Sequence, residues 1–325
     1  MLKNFLVASC ALAIVLPPLH AVAQLAPRDS ITAVPAPLLS NGEGEGIRGW
    51  ARGVIGSAHQ GTRDGISGHD SHSDGVAMGL DTALKGCPAI LGASFSYVDS
   101  RISAKDVNTT RTDVNSYQLA MYGDYGLGRE LFLRGALGYT RYDNDSARHN
   151  AAGPGVTAFG SYGANQYDAF AKLMRYLQWG AATVTPNLMG RLIHYDPQSY
   201  NETGAGLANL HTSQDSMNVA EIGVGADVTW VFDANDNSGN GFSPGFHAGL
   251  SYDLAGDRIE TDSTPVGGGG VTTTAGPSIA RTRLNTGLNM VWFTGGGWDM
   301  KAAYDVDVKQ DYFAQAGTLR VTGRF

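Results

Sequence analysis

From Ile47 to Phe325 the chain keeps returning to one pattern: apolar side chains at every second residue, with small or polar residues between them. Successive side chains of a β-strand point to opposite faces, so each such run carries one apolar and one polar face. Leu131, Leu133, Leu137 and Tyr139 share a face, while Phe132, Arg134, Ala136, Gly138 and Thr140 share the other. Ile222, Val224, Ala226, Val228 and Trp230 alternate with Glu221, Gly223, Gly225, Asp227 and Thr229. The same parity orders Tyr117, Leu119 and Met121 against Gln118, and Leu284, Leu288, Met290 and Trp292 against Arg283, Asn285, Gly287 and Asn289. In Met300, Ala302, Tyr304, Val306 and Val308 it recurs against Asp299, Lys301, Asp305, Asp307 and Lys309. A chain so constrained folds as an antiparallel sheet with one apolar face.

A soluble sandwich alternates too, and two features separate the cases. The non-apolar face is mostly Gly, Ala, Ser, Asn and Asp with scattered Arg, as a narrow polar lumen requires. The connections also alternate between short and long, as in outer-membrane barrels. Strand cores are expected at 47–58, 73–84, 89–102, 113–126, 130–143, 163–178, 183–195, 214–232, 242–258, 277–294, 298–308 and 312–325. Long polar connections lie at 59–72, 103–112, 144–162, 196–213 and 259–276, and short ones at 85–88, 127–129, 179–182 and 295–297; 233–241 is an Asp/Asn/Gly-rich exception. The reading is an all-β, antiparallel transmembrane β-barrel of about twelve strands, with both ends on the short-turn side. Leu319-Arg320-Val321-Thr322-Gly323-Arg324-Phe325 alternates to its last residue. That places Leu319, Val321 and Phe325 on the lipid face, Arg320, Thr322 and Arg324 opposite, and Phe325 in the girdle at the lipid boundary.

Composition agrees. Charged residues make up 16% of the 325 residues and glycine occurs 44 times, which argues against a coiled coil, a helical bundle or a charged disordered chain. The longest mainly apolar run, Phe5 to Leu19, lies at the N-terminus, and no later stretch reaches the ~18 apolar residues of a spanning helix. That restricts helices only, because a spanning strand needs about 9–11 residues of alternating character. Net charge is −7 and no basic stripe is present, so nucleic acid is not an expected partner.

Lys3, the apolar stretch Phe5 to Leu16 and the small-x-small site Ala21-Val22-Ala23 read as a signal peptide over 1–23, cleaved before Gln24. A lipoprotein site at Val7-Ala8-Ser9-Cys10 would leave almost no apolar core before it. Cleavage removes Cys10 and leaves Cys87, in the turn Lys85-Gly86-Cys87-Pro88, as a small turn residue. Residues 24–46 are rich in Pro, Gly and small residues and read as a flexible arm or linker. The barrel then occupies 47–325.

Several segments resemble the β-domain of autotransporters, the type V secretion barrels of Gram-negative outer membranes. They are Trp50-Ala51-Arg52, Gly75-Val76-Ala77-Met78-Gly79-Leu80-Asp81, Leu91-Gly92-Ala93-Ser94-Phe95-Ser96-Tyr97, and the Tyr304 and Tyr312 region running to Phe325. The resemblance implies a twelve-stranded barrel that the outer-membrane assembly machinery inserts, reading the last strand, with Phe325 as the assembly signal. It implies periplasmic chaperones, outer-membrane lipid and lipopolysaccharide as partners, and a passenger carried to the surface. Residues 24–46 are too short for a passenger, and Pro35, Pro37, Gly42, Gly44 and Gly46 oppose a pore-threading helix. The expected function is therefore a membrane anchor or translocation pore without a sizeable passenger. The alternatives are a channel or adhesin-like surface barrel and, third, a hydrolase using His194 and Asp196.

Chemistry-bearing sets are few. His69-Asp70-Ser71-His72-Ser73-Asp74 falls in the first long loop and matches no compact ligand spacing. His194-Tyr195-Asp196 tops a strand. No G-x-S-x-G elbow occurs, and Gly267–Gly270 has neither the Lys-Ser/Thr nor the helix of a phosphate cradle, so it reads as a flexible surface loop. Asp233-Ala234-Asn235-Asp236-Asn237 lacks the Gly and Glu of a calcium loop. No cofactor, metal or catalytic residue is assigned. The informative residues are the inward charges Arg134, Asp168, Lys172, Asp227, Arg283, Asp305 and Arg320, read as lumen-lining: an ion-paired interior or a pore lining that sets ion preference.

Overall fold

The structure is a computed structural model, and it describes residues 46–325 except 106–108, 234–238 and 257. The expected signal peptide, with Lys3 and Cys10, and residues 24–45 of the expected arm lie outside the described residues.

Twelve long strands follow one another: β1 (Ile47–Gln60), β2 (His69–Ala83), β3 (Ala89–Ala104), β4 (Arg111–Gly128), β5 (Leu131–Arg148) and β6 (Ala158–Arg175). Then come β7 (Ala182–Pro197), β8 (Met217–Trp230), β9 (Gly241–Asp253), β10 (Thr282–Phe293), β11 (Trp298–Lys309) and β12 (Tyr312–Arg324). Each pairs antiparallel with its neighbours in sequence. β12 also pairs with β1 in unbroken register from Arg48↔Arg324 to Gln60↔Tyr312. The sheet is closed, so each of these twelve strands is paired on both sides, which is the condition for a sheet to sit in lipid.

The two faces separate as the parity dictates. Val76, Met78 and Leu80 on β2, Leu119 and Met121 on β4, Leu137, Leu192, Val224, Leu250, Leu288 and Leu319 all point outward and are exposed. Aromatic residues bound this apolar belt. Towards the long-loop end, the rings of Tyr97 and Tyr117 lie 5.3 Å apart and those of Tyr139 and Tyr167 5.4 Å. The hydroxyls of Tyr97 and Tyr139 donate to Asn115 (2.6 Å) and Asn165 (2.9 Å). At the other end Phe232 stacks on Phe242 and Trp298 meets Phe325 edge-on, with ring centroids 5.0 and 6.2 Å apart. The Tyr and Trp rings, with one apolar body and one polar tip, suit the boundary between hydrocarbon and water.

Strand ends differ from expectation mostly at the long-loop end. β5 and β6 run to Arg148 and from Ala158 rather than to 143 and from 163, and β2 begins at His69 rather than 73. Above the belt the outward residues turn to Asp70, His72, Arg101, Asp113, Arg141 and Asp143, so the ladder continues where apolar alternation has ended. The expected strands 214–232, 242–258 and 277–294 are shorter, at Met217–Trp230, Gly241–Asp253 and Thr282–Phe293. The expected 163–178 ends at Arg175, with Leu177–Trp179 a separate short piece. The long connections are themselves built. Tyr200–Asn201, Leu210–Gln214, Glu260–Pro265 and Thr272–Ala275 form a second, four-stranded sheet that joins the β7–β8 and β9–β10 connections, from Leu210↔Pro265 to Gln214↔Thr261. Gly267–Gly270, expected as a loose surface loop, is the turn of its outer hairpin, with Gly268 at φ 96°. Arg148 clamps Glu202 with contacts of 2.5 and 3.0 Å and ties β5 to this sheet.

Replacing Leu288, central in β10 and opposite Phe246 and Tyr304, by Arg is expected to cost about 2–4 kcal/mol of barrel stability. Denaturant unfolding in lipid vesicles measures this; a neutral result refutes the placement of Leu288 at mid-membrane depth.

Candidate functional site: the barrel interior

The inward residues of the strands form layers along the barrel. In the layer nearest the short turns, the Trp50 indole N–H donates to the Tyr122 hydroxyl (2.6 Å), which donates to Asp81 (3.1 Å). Arg48 Nε donates to the same carboxylate at 2.5 Å, and the Arg320 guanidinium lies 5.0 Å from the Trp50 ring centroid, within cation–π range. Two glycines make this possible. A Cβ on Gly79 would stand 2.6 Å from the Trp50 ring, and one on Gly92 2.5 Å from the Tyr122 ring. The rings lie flat along the wall because nothing projects beneath them. Beside them Arg134 holds Asp124 through Nε (2.7 Å) and Nη2 (3.2 Å), a two-pronged pair that fixes both side chains.

Midway lies a chamber bordered by Arg52, Lys172, Asp227, His247, Lys301 and Asp305 among others. Both signs of charge line it, in pairs. Lys172 Nζ meets Asp227 at 3.5 Å, Asn187 donates to the same carboxylate at 3.1 Å, and His247 Nε2 lies 3.1 Å from Asp305. Towards the long loops Asp168 accepts from Gln118 (3.4 Å) and Gln166 (3.5 Å), and Tyr142 donates to Gln166 (3.0 Å). Across the interior Arg283 Nη2 lies 2.5 Å from Glu221 and its Nε 3.8 Å from Asp307.

The seven expected residues do not form one cluster. Arg320 lies in the layer nearest the short turns, Arg134 between that layer and the chamber, which it also borders, Lys172, Asp227 and Asp305 at the chamber, and Asp168 and Arg283 further out on different walls. Arg134, Asp168, Arg283 and Arg320 are buried, and the other three are half-buried. The expectation named both members of the Lys172–Asp227 pair and one member of each of the contacts Arg134–Asp124, His247–Asp305 and Arg283–Glu221. Asp124, Glu221, Asp307 and His247 complete them, and the strand parity that picks Arg134 also picks these. Arg324, expected on the inner face, is exposed at the end of β12.

The other candidate sets do not assemble. His69–Asp74 lies in β2 rather than in a loop, so its residues alternate between faces: Ser71 and Ser73 are buried, whereas Asp70, His72 and Asp74 point outward. Asp70 instead meets His59 Nδ1 at 2.7 Å and Lys105 Nζ at 3.1 Å. His194 and Asp196 are both exposed on the outer surface. His194 Nδ1 lies 2.9 Å from the Asn218 side-chain oxygen, and its ring stacks on Tyr167. Cys87 is exposed in its turn, and residues 234–237 of the calcium-like stretch lie outside the described residues.

Truncating Arg134 to Ala strands the buried Asp124 carboxylate, and a loss of about 3–5 kcal/mol is expected. Replacing both partners by apolar residues of similar volume should recover most of it. Equilibrium unfolding of the three variants measures this, and an Arg134→Ala barrel as stable as the parent refutes it.

Residues 49–305 match the Autotransporter beta-domain family. The chain is 25% identical over 285 residues to Outer membrane protein B of Rickettsia conorii (strain ATCC VR-613 / Malish 7), covering 85% of this chain and 17% of that protein, so it spans about a sixth of the relative's length. The translocator domain of autotransporter NalP from Neisseria meningitidis superposes with a TM-score of 0.72 at 18% identity, covering 94% of this chain and 96% of that one. The β-domain of the Bordetella autotransporter BrkA gives 0.65 at 14% identity, covering 86% and 100%. Closed twelve-stranded topology, outward apolar belt and family match agree: this chain belongs to the autotransporter β-domain family and is an outer-membrane barrel.

Proposed function

We propose that the barrel anchors in the outer membrane, and serves as the translocation pore for, polypeptide joined to the N-terminal end of β1. The observation that carries this reading is where β1 begins. Gly46 and Ile47 sit at the short-turn end, tied to Thr82 (3.3 Å, from its hydroxyl to the Gly46 carbonyl) and to the Phe325 N–H (3.0 Å). Whatever precedes them therefore starts at the short-turn end of the barrel. Small and charged lining residues suit the passage of an extended chain, whose backbone needs hydrogen-bonding partners throughout. Insertion uses the outer-membrane assembly machinery, delivery uses periplasmic chaperones, and lipopolysaccharide surrounds the outer girdle.

A channel for small ions is the second reading. It is favoured by the paired inward charges Lys172–Asp227 and His247–Asp305 at the chamber, because rings of charge set ion preference. The barrel itself is read as non-enzymatic, since His194 is engaged by Asn218 and Tyr167 rather than by Asp196.

An epitope inserted after Gln24 and probed with antibody on intact cells tests the pore. Surface labelling is expected; an inserted barrel whose epitope is reached only after permeabilisation refutes it. Deleting Phe325 removes its contact with Trp298 and the hydrogen bond to Ile47 that ends the β1–β12 seam. Folded barrel in the outer-membrane fraction should fall several-fold, and unchanged levels refute the assembly role.

A further inference from the structure

We infer that the outer mouth of the barrel is shut by an apolar cap, and that segment 258–281 of the β9–β10 connection is a latched lid completing it. The inference rests on the pore reading for its biological use, but its test stands apart.

The cap is a layer of inward side chains at the long-loop end. Ile102, Val114, Tyr142, Ile193, Tyr195 and Met217 come from strands β3, β4, β5, β7 and β8, and each is at most 6% exposed. It is the largest of the buried apolar clusters among the described residues. What fills the space between these walls is Ile259 from the lid, itself 5% exposed, with Ile279 packed against the same cluster. Water crosses an apolar constriction poorly, and a constriction this tightly filled blocks ions as well.

The lid is fastened on more than one side. The Gln214-to-Thr261 ladder and the Asp215 N–H to Glu260 carbonyl bond (3.0 Å) hold it to the β7–β8 connection. Its other fastening is to the β1–β2 loop. There Asp64 and Gly65, at φ 52° and 77°, form a tight turn closed by Arg63–Ile66 backbone bonds, a conformation for which Asp-Gly is suited. The turn aims the Asp64 carboxylate at the lid. It accepts from the Ser278 N–H (2.7 Å) and from Arg258 Nη2 (3.2 Å), while Arg63 Nε donates to the Ser278 hydroxyl (3.0 Å). Arg63 Nη1 also reaches the Gln310 carbonyl (3.3 Å), adding the β11–β12 turn. Hydrogen bonds from Ser278, and then the nearby arginines, hold the Asp64 carboxyl below its ordinary value of 3.8. The latch therefore stays charged at neutral and mildly acidic pH and weakens only as pH falls through that lowered value.

The latch is exposed and polar, so it is separable; the cap is buried, so it seals. Together they describe an interior closed towards the outside until the lid is displaced.

Single-barrel conductance of the purified, folded mature chain in a planar bilayer tests this. Two variants are compared: Ile259→Asp/Ile279→Asp, which wets the cap, and Asp64→Ala/Arg258→Ala, which cuts the latch. Circular dichroism confirms that each retains its β-structure. The parent is expected to stay closed. The wetted cap should raise mean current at least about tenfold, and the cut latch should produce frequent transient openings. A parent that conducts steadily overturns the lid and leaves the pore reading intact. If parent and both folded variants are silent, the lid is overturned as the closing element; the surface-epitope assay then judges the pore reading on its own. Currents that rise only in the latch variant overturn the apolar cap as the seal.

Discussion

Everything in this molecule depends on the closure of β12 onto β1. In hydrocarbon a backbone N–H or C=O without a partner costs several kcal/mol, and an open sheet would present two rows of them. The β1–β12 ladder removes both rows at once. Closure also creates an inside, and the inside takes residues that would be untenable in the belt. Arg52, Asp81, Asp124, Arg134, Arg283 and Asp307 are each buried, on strands whose opposite faces carry Leu, Val and Ile.

The interior is organised by pairing rather than by size. Arg134–Asp124, Lys172–Asp227, His247–Asp305 and Arg283–Glu221 bring strands together that the ladder alone would leave free to flex. Lys172–Asp227 bridges β6 to β8 across β7, and Trp50–Tyr122 bridges β1 to β4. Buried pairs of this kind add little net stability but punish the loss of either partner. They therefore fix the cross-section of the lumen. The layers differ in chemistry along the barrel: aromatic and charged at the inner end, open and mixed at the chamber, apolar at the outer mouth. A uniform conduit would have no reason for that gradient.

A strand period of two is a local property, and so strand number, face assignment and the inward charges were legible from the residues. Gly79 and Gly92 stood out as motif glycines, although their purpose, to let Trp50 and Tyr122 lie against the wall, needs both neighbouring strands. The errors cluster above the belt. His69–Asp74 looked like a loop because its residues are polar, yet the ladder extends through it. Polarity marks the end of lipid contact, not the end of hydrogen bonding.

By itself, then, the sequence determined a closed antiparallel barrel, its outward belt and the alternation of faces along the strand cores, because alternation is written residue by residue and closure is the one solution lipid permits to a sheet. Tertiary structure alone decided which charges meet, since partners such as Arg283 and Glu221 lie on non-adjacent strands and their distance depends on barrel curvature. It also decided that the β7–β8 and β9–β10 connections pair into a second sheet and that Ile259 turns inward. Those outcomes rest on contacts between segments far apart in the chain, to which no local period points.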